Sequence, residues 1–137
     1  MFWDSSALVP LLVVQPQTDF ICRLSVSARV IWWGSCTECI SAMCRLKREG
    51  QIDEAVFDTL LTTLQQLADQ SVEVQPTDPV RLRAERLLRI HPLRAADALQ
   101  LAAALVFTGE HPFGFGFVCL DERLRQAARS EGFTIHP

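Results

Sequence analysis

Four acidic residues carry the chemistry for which this sequence can be read: Asp4, Glu38, Asp97 and Asp121. Asp4 and Asp121 each follow a short apolar run of strand character. Glu38 lies in the first turn after another such run, and Asp97 stands near the start of an Ala- and Leu-rich helix, in Arg94-Ala95-Ala96-Asp97-Ala98-Leu99. Carboxylates gathered at one edge of a domain repel one another, and such a cluster is stable only when protonated or neutralised by cations. Hard divalent ions take oxygen ligands, and Mg2+ keeps several waters in its octahedral shell. One or two ions held this way can orient a water for in-line attack on a phosphodiester and stabilise the leaving oxygen, with no need of a side-chain nucleophile.

Each acid also has a purely structural reading. Ser35-Cys36-Thr37-Glu38 matches a capping box, in which the glutamate bonds back to the cap amide. Asp121 can cap the helix it precedes, Asp97 can complement a helix dipole, and Asp4 can terminate a turn. Taken singly, Glu38 and Asp121 favour the structural reading. Asp97 resists it, because its neighbours Ala95, Ala96, Ala98, Leu99 and Leu101 are apolar and a carboxylate in such a setting needs a partner.

The elements that must position these residues follow from periodicity and punctuation. Met1–Asp4 reads as a strand. Ser5 and Ser6 can cap a helix from about Ala7, with Pro10 in its first turn, ending at Gln15-Pro16; Thr18–Leu24 is a second short helix. The β-branched and aromatic run Ala28–Trp33 is a buried strand broken by Gly34, and Ser35 opens a helix through Arg48 that Gly50 closes. Residues 53 to 69 are an amphipathic helix, with Val56, Leu60, Leu64 and Leu67 at helical spacing. Val72–Val74 is a strand. A helix follows to Ile90, with Asp78 as cap and Pro79 at its first position, and His91-Pro92 stops it. Leu93–Phe107 is a buried helix, Gly109–Gly116 a loop, Phe117–Leu120 a strand, Asp121–Ser130 a helix and Phe133–Ile135 a last strand. Strands alternating with helices imply a three-layer α/β/α sandwich around a central parallel sheet of four to five strands. Such sheets bind ligands beyond the carboxyl ends of their strands, where the strand order reverses.

Composition sets the outer limits. At 137 residues, 49% of them hydrophobic, the chain is expected to form one domain, residues 1–137, with a full core and no intrinsic disorder. A net charge of −3 excludes a strongly basic nucleic-acid coat protein, though not an enzyme whose metal-binding carboxylates pull the balance acidic. Basic charge is almost all arginine, with Lys47 the sole lysine. Five cysteines, an odd number, suit reduced thiols in a cytoplasm better than a disulfide framework. No apolar run reaches membrane-spanning length, and the segment from Ala7 to Val14 lacks the flanks of a signal peptide. The expectation is a soluble cytoplasmic domain.

The segments Met1-Phe-Trp-Asp4-Ser-Ser-Ala-Leu-Val9, Thr37-Glu38, Ala96-Asp97-Ala98-Leu99-Gln-Leu-Ala-Ala-Ala104 and Cys119-Leu-Asp121-Glu-Arg-Leu124-Arg-Gln-Ala-Ala-Arg-Ser-Glu-Gly132 resemble the PIN domain family. The resemblance runs from Met1 to Ile135, and the short chain is similar to VapC-type toxins of bacterial toxin–antitoxin pairs. It implies a ribonuclease dependent on Mg2+ or Mn2+, with Asp4, Glu38, Asp97 and Asp121 matching the family's acidic quartet and Ser6 the hydroxyl residue after the first aspartate. Asp4, Asp97 and Asp121 are then the expected metal ligands. Glu38 serves as a ligand or orients the water, and Ser6 holds a ligand water or a phosphate. An RNA substrate, a small antitoxin protein and a homodimer are the partners implied. The Trp32-Trp33-Gly34 run and the Gly- and Phe-rich loop from Gly109 to Phe117 depart from the family pattern and leave substrate preference open.

Other classes fit less well. A phosphatase with an aspartyl nucleophile typically pairs its first Asp with another two residues on, where this chain has Ser6. A phosphoacceptor receiver domain wants an Asp ending the third strand and a Lys ending a later one, and Val72-Glu-Val-Gln-Pro76 supplies no such Asp. A catalytically inactive PIN-like scaffold that binds RNA or protein is the principal alternative, against which stands the presence of all four acids. Cys36-x-x-Cys39 with nearby Cys44 is half a zinc site at most, since His91, His111 and His136 are scattered; packing inside a helix is favoured. Arg83, Arg86 and Arg89 form a stripe best read as a solvated face, with Glu85 and Arg89 paired. Trp32, Trp33, Phe113, Phe115 and Phe117 are more aromatic surface than so short a chain is expected to bury, and exposed apolar patches mark interfaces.

Overall fold

The computed structural model describes residues 1–14, 18–24 and 28–136. In chain order the elements are β1 (Phe2–Trp3), α1 (Ser5–Leu12), α2 (Thr18–Leu24), β2 (Val30–Trp32), α3 (Ser35–Arg48), α4 (Glu54–Asp69), β3 (Val72–Val74), α5 (Asp78–Ile90), α6 (Ala95–Phe107), β4 (Gly116–Val118), α7 (Glu122–Ser130) and β5 (Thr134–His136). The sheet has five strands in the order β3-β2-β1-β4-β5, and every pairing is parallel. This is the expected three-layer α/β/α architecture around a parallel sheet.

Side chains alternate across the sheet with the period of two that a pleated strand imposes. Phe2, Val30, Trp32, Val74 and Phe117 face one layer, built from α5, α6 and α7. Trp3, Ile31 and Val118 face the other, built from α1 to α4. The central strands are apolar on both faces because both are covered. Edge strand β3 is not, and its Val72 is exposed. Phe117 stacks on Phe2 at 5.2 Å and meets Phe133 at 5.4 Å, so the centre of the sheet and the far edge share one aromatic seam.

From β1 the chain steps outward to β2 and β3, then crosses to β4 on the other side. The strand order therefore reverses between β1 and β4. Residues just beyond those strands face the crevice at which doubly wound sheets bind ligands. Asp4 follows β1 directly, and Asp121 lies three residues beyond β4.

Helix starts differ from the sequence reading in instructive ways. α1 begins at Ser5 and is capped by Asp4, whose carboxylate accepts the Ser6 N–H; a buried carboxylate outcompetes two serine hydroxyls for the cap. α5 is capped from Thr77, with Asp78 inside the helix and paired to Arg81. α6 starts at Ala95, since the chain turns tightly about Pro92, where the Leu93 N–H bonds the His91 carbonyl, and Arg94 is extended. Val56 is exposed, while Leu60, Leu64 and Leu67 form the buried stripe of α4. Of the aromatics expected partly outside, Trp32 and Phe117 are core, Phe115 is half-buried, and Trp33 and Phe113 are exposed. α1 ends at Leu12 with Val13 as its C-cap, earlier than the expected stop at Gln15-Pro16, which lies outside the described residues. Among those described, no helix is long and apolar enough to cross a membrane.

Gly34 decides where α3 begins. It occupies the N-cap position with an ordinary φ of −75°, so its value is spatial: a Cβ there would meet Trp32 Nε1 at 2.5 Å. The absent side chain lets the buried indole pack under the first turn of α3, which carries Glu38. Gly34→Ala is expected to displace the indole or the helix start and to lower unfolding stability by about 1–3 kcal/mol, as overpacking does. Denaturant titration checks this; an alanine variant as stable as the parent would remove Gly34 from the account.

Candidate active site

Asp4 is buried, with 3% of its surface exposed. One carboxylate oxygen, Oδ2, accepts the Ser6 N–H at 3.0 Å, the Ser6 hydroxyl at 2.5 Å and the Cys119 thiol at 3.4 Å. No donor among the described residues reaches Oδ1. Ser6 Oγ in turn accepts the Leu120 N–H at 2.9 Å, which ties the start of α1 to the segment leaving β4. Burial pushes the Asp4 carboxyl up to about 6; the Ser6 hydrogen bonds oppose that rise, and the nearby charge of Glu38 adds to it.

Glu38 does not form the expected capping box. Because the cap is Gly34 rather than Ser35, the glutamate falls one position too late to reach back to the cap amide. Its side chain spans to neighbouring elements instead: Oε2 accepts the Ser5 hydroxyl at 2.7 Å and Oε1 accepts Gln100 Nε2 at 3.2 Å. Ser35, freed from capping, is buried against Gln100.

Asp97 and Asp121 each serve a helix start. Asp97 Oδ2 accepts the Arg94 N–H at 3.3 Å, and Asp121 Oδ1 accepts the Leu124 N–H at 2.9 Å as the N-cap of α7. The apolar setting expected around Asp97 is only half present. Ala95 and Ala96 are exposed and Asp97 is half-buried, because the helix points its first turn at solvent before entering the core. Partial burial raises the Asp97 carboxyl, the Arg94 N–H lowers it, and the charge of Asp121 raises it further. The charge of Asp121 therefore reaches Asp97 across the same edge.

Ser5, Ser6, Val9, Glu38, Ala42, Arg45, Leu120 and Asp121 line a cleft of about 460 Å³ beside buried Asp4. Asp97 adjoins through Asp121 and is not in the lining. Three contributors escaped the sequence reading: Ser5, Gln100 and Arg45. Arg45 lies seven residues after Glu38 on the same face of α3, a spacing that could have been noticed. Ser5 and Gln100 become visible only through their contacts. The donor set is oxygen throughout, as a hard cation requires. Among the described residues, no three Asp, Glu, His or Cys groups stand close enough to hold an ion directly.

Other signals resolve as packing or pairing. Burial pushes the Cys39 thiol up to about 12 and raises that of Cys119 further, so neither is a poised nucleophile. His91 bonds Glu131 at 2.6 Å between α5 and the end of α7, and Arg83 pairs with Glu110 at 2.6 Å beyond the end of α6.

A carboxyl whose pKa rises from 3.8 to about 6 on folding binds its proton more tightly in the folded state. Its contribution to stability is full below about pH 4 and is lost as pH rises through 6, leaving a penalty of roughly 2–3 kcal/mol at neutral pH. Asp4→Asn keeps an acceptor for the Ser6 cap and removes the charge. It is expected to raise the melting temperature at pH 7.5 in metal-free buffer, with the gain vanishing towards pH 4. A gain independent of pH, or none, contradicts the burial account.

No family model and no curated protein sequence matches the chain. Among solved structures, the crystal structure of FitAcB from Neisseria gonorrhoeae is similar to it, with a TM-score of 0.69 at 14% identity, covering 99% of this chain and 96% of that one. At that identity the likeness speaks for the fold, and it holds from one end of the chain to the other.

Proposed function

We propose that the chain is a divalent-metal-dependent ribonuclease, hydrolysing RNA phosphodiester bonds as the toxin of a bacterial toxin–antitoxin pair. One observation carries the reading: Glu38 and Asp121 line a single cleft at the switch point of a parallel sheet, with buried Asp4 beside it and Asp97 within reach of the charge of Asp121. The fold shared with FitAcB supports the PIN-like side of the reading, and the ordered acidic segments of the sequence support the nuclease side.

The residues divide the work. Asp4, Asp97 and Asp121 would hold Mg2+ or Mn2+, with waters completing a shell that the carboxylates do not enclose alone. When bound, such an ion supplies charge neutralisation and an acidified water. Glu38, held by Ser5 and Gln100, is placed to orient that water. Ser6 fixes Asp4 and presents its hydroxyl to the cleft, and Arg45 offers a guanidinium to a phosphate oxygen.

The second reading, an inactive scaffold that binds RNA or protein, draws on the spacing of the acids, which among the described residues enclose no ion directly. Cleavage of single-stranded and structured RNA with Mg2+ or Mn2+, with and without chelator, separates the two. Asp97→Asn is expected to lower cleavage roughly 100-fold or more, about 2.7 kcal/mol of transition-state stabilisation, while the variant stays folded. Mn2+ is expected to raise the melting temperature of the parent by linkage. Metal-independent cleavage, or a fully active Asp97→Asn protein, overturns the proposal.

The partners follow from the same reading. Trp33 and Phe113 stand 52% and 96% exposed, apolar surface suited to self-association and to an antitoxin. An antitoxin arginine entering the acidic cleft would neutralise the charge that otherwise calls for metal. Light scattering is expected to show a dimer, and purification from the native operon a small second protein. A lone monomer, harmless on overexpression, counts against the toxin assignment.

A further inference from the structure

We infer that Gln100 is a positioning residue that aims the Glu38 carboxylate into the cleft. The inference rests on the ribonuclease reading for its consequence, while the contact itself is independent of it. Gln100 has no exposed surface and lies on an Ala- and Leu-rich helix, between Leu99 and Leu101 and ahead of Ala102, Ala103 and Ala104. A primary amide in such a place costs free energy unless its groups are bonded. Its Nε2 donates to Ser35 Oγ at 3.1 Å and to Glu38 Oε1 at 3.2 Å, and its Oε1 accepts the Ser35 hydroxyl at 3.4 Å.

The chemistry of the partner fixes the orientation of the amide. An ionised carboxylate only accepts, so the NH2 end of Gln100 must face Glu38, while the Ser35 hydroxyl, which both donates and accepts, lies within reach of both ends of the amide. On the opposite side the Ser5 hydroxyl donates to Glu38 Oε2 at 2.7 Å. The carboxylate is thus held by one donor per oxygen, from α6 and from α1, while its own helix supplies none. Glutamate has freely turning side-chain bonds, and a free Glu38 on the first turn of α3 would sample several rotamers. The clamp selects the one that lies in the cleft lining.

Ser5 is shared with the cleft rim, whereas Gln100 reaches Glu38 from the protein interior. Outer partners of this kind orient metal-ligating or water-orienting groups, and losing one typically weakens metal affinity 10- to 100-fold. Gln100→Met fills nearly the same volume without donors, so it separates packing from hydrogen bonding. Gln100→Asn, which keeps the amide on a shorter arm, serves as the second variant should the methionine protein not fold.

The test is Mn2+ binding by titration calorimetry on the full chain, beside crystal structures of the metal-free parent and variants. The expected results are Mn2+ affinity at least 10-fold weaker in both variants, cooperative melting in chelator that shows both still folded at the titration temperature, and a Glu38 side chain that leaves the parent rotamer in Gln100→Met. A parent that binds no Mn2+ overturns the ribonuclease reading. A parent that binds Mn2+ while Gln100→Met binds equally well, with Glu38 unmoved, overturns the positioning role alone.

Discussion

Asp4 is a carboxylate at the end of the central strand, and water is excluded from most of it. The surrounding architecture is organised by the need to offset that desolvation. Three donors converge on its Oδ2, and one of them, Ser6, is held by the backbone of Leu120. The segment after β4 is therefore anchored to the segment after β1 through the side chain of a serine. Those donors do not cancel the burial, and the carboxyl remains raised to about 6. What is left over is a buried acid, one oxygen unclaimed among the described residues, beside a second acid of like charge. A cation is the natural complement to that arrangement.

The sheet makes this possible by being short and buried on both faces. β1 has only two residues, Phe2 and Trp3, each filling a different layer. The next residue, Asp4, emerges where the layers open. Parallel pairing with β2 and β4 sets the flanking segments at the same level, so α3 and α7 start beside α1. Glu38 and Asp121 arrive at the cleft by this topology and not by any local sequence preference.

The sequence made the fold class legible because strands and helices alternate with clear apolar runs, and each described strand was found within a residue or two of its expected bounds. The places of Asp4, Glu38 and Asp121 after strands and of Asp97 at a helix start were legible, and the family resemblance picks out the same four residues. The bounds of α3, Ser35–Arg48, were legible, but its cap was not. Ser35-Cys-Thr-Glu38 satisfies the capping box as a string, and only the packing of Trp32 beneath Gly34 moves the cap one residue earlier. That single shift releases Glu38 to bond across elements. Gln100 was hidden for a similar reason: in a run of alanines and leucines a glutamine is a small anomaly, and its partners lie 62 and 65 residues away. The expected strand ran one residue too far, because strand propensity does not say where a strand ends; β2 stops at Trp32, and the exposed Trp33 side chain leaves the core.

The structural and functional readings of the acids turn out to be compatible. Asp4, Asp97 and Asp121 each give one oxygen to a backbone N–H at a helix start. A carboxylate has lone pairs on both oxygens, so capping leaves the second oxygen for another use. α1 and α7 start where β1 and β4 end, so Asp4 and Asp121 gather on one edge, and α6, which follows α5, starts close enough for Asp97 to feel the charge of Asp121. The positive ends of α1, α6 and α7 reduce the repulsion that this gathering creates, each by a few tenths of a kcal/mol to about 1 kcal/mol. Glu38 is the exception. It caps nothing, and it is the acid for which the fold provides dedicated donors, Ser5 on one side and buried Gln100 on the other. Three acids are held in place by the helices they begin, and the fourth must be held by residues that have no other reason to be polar.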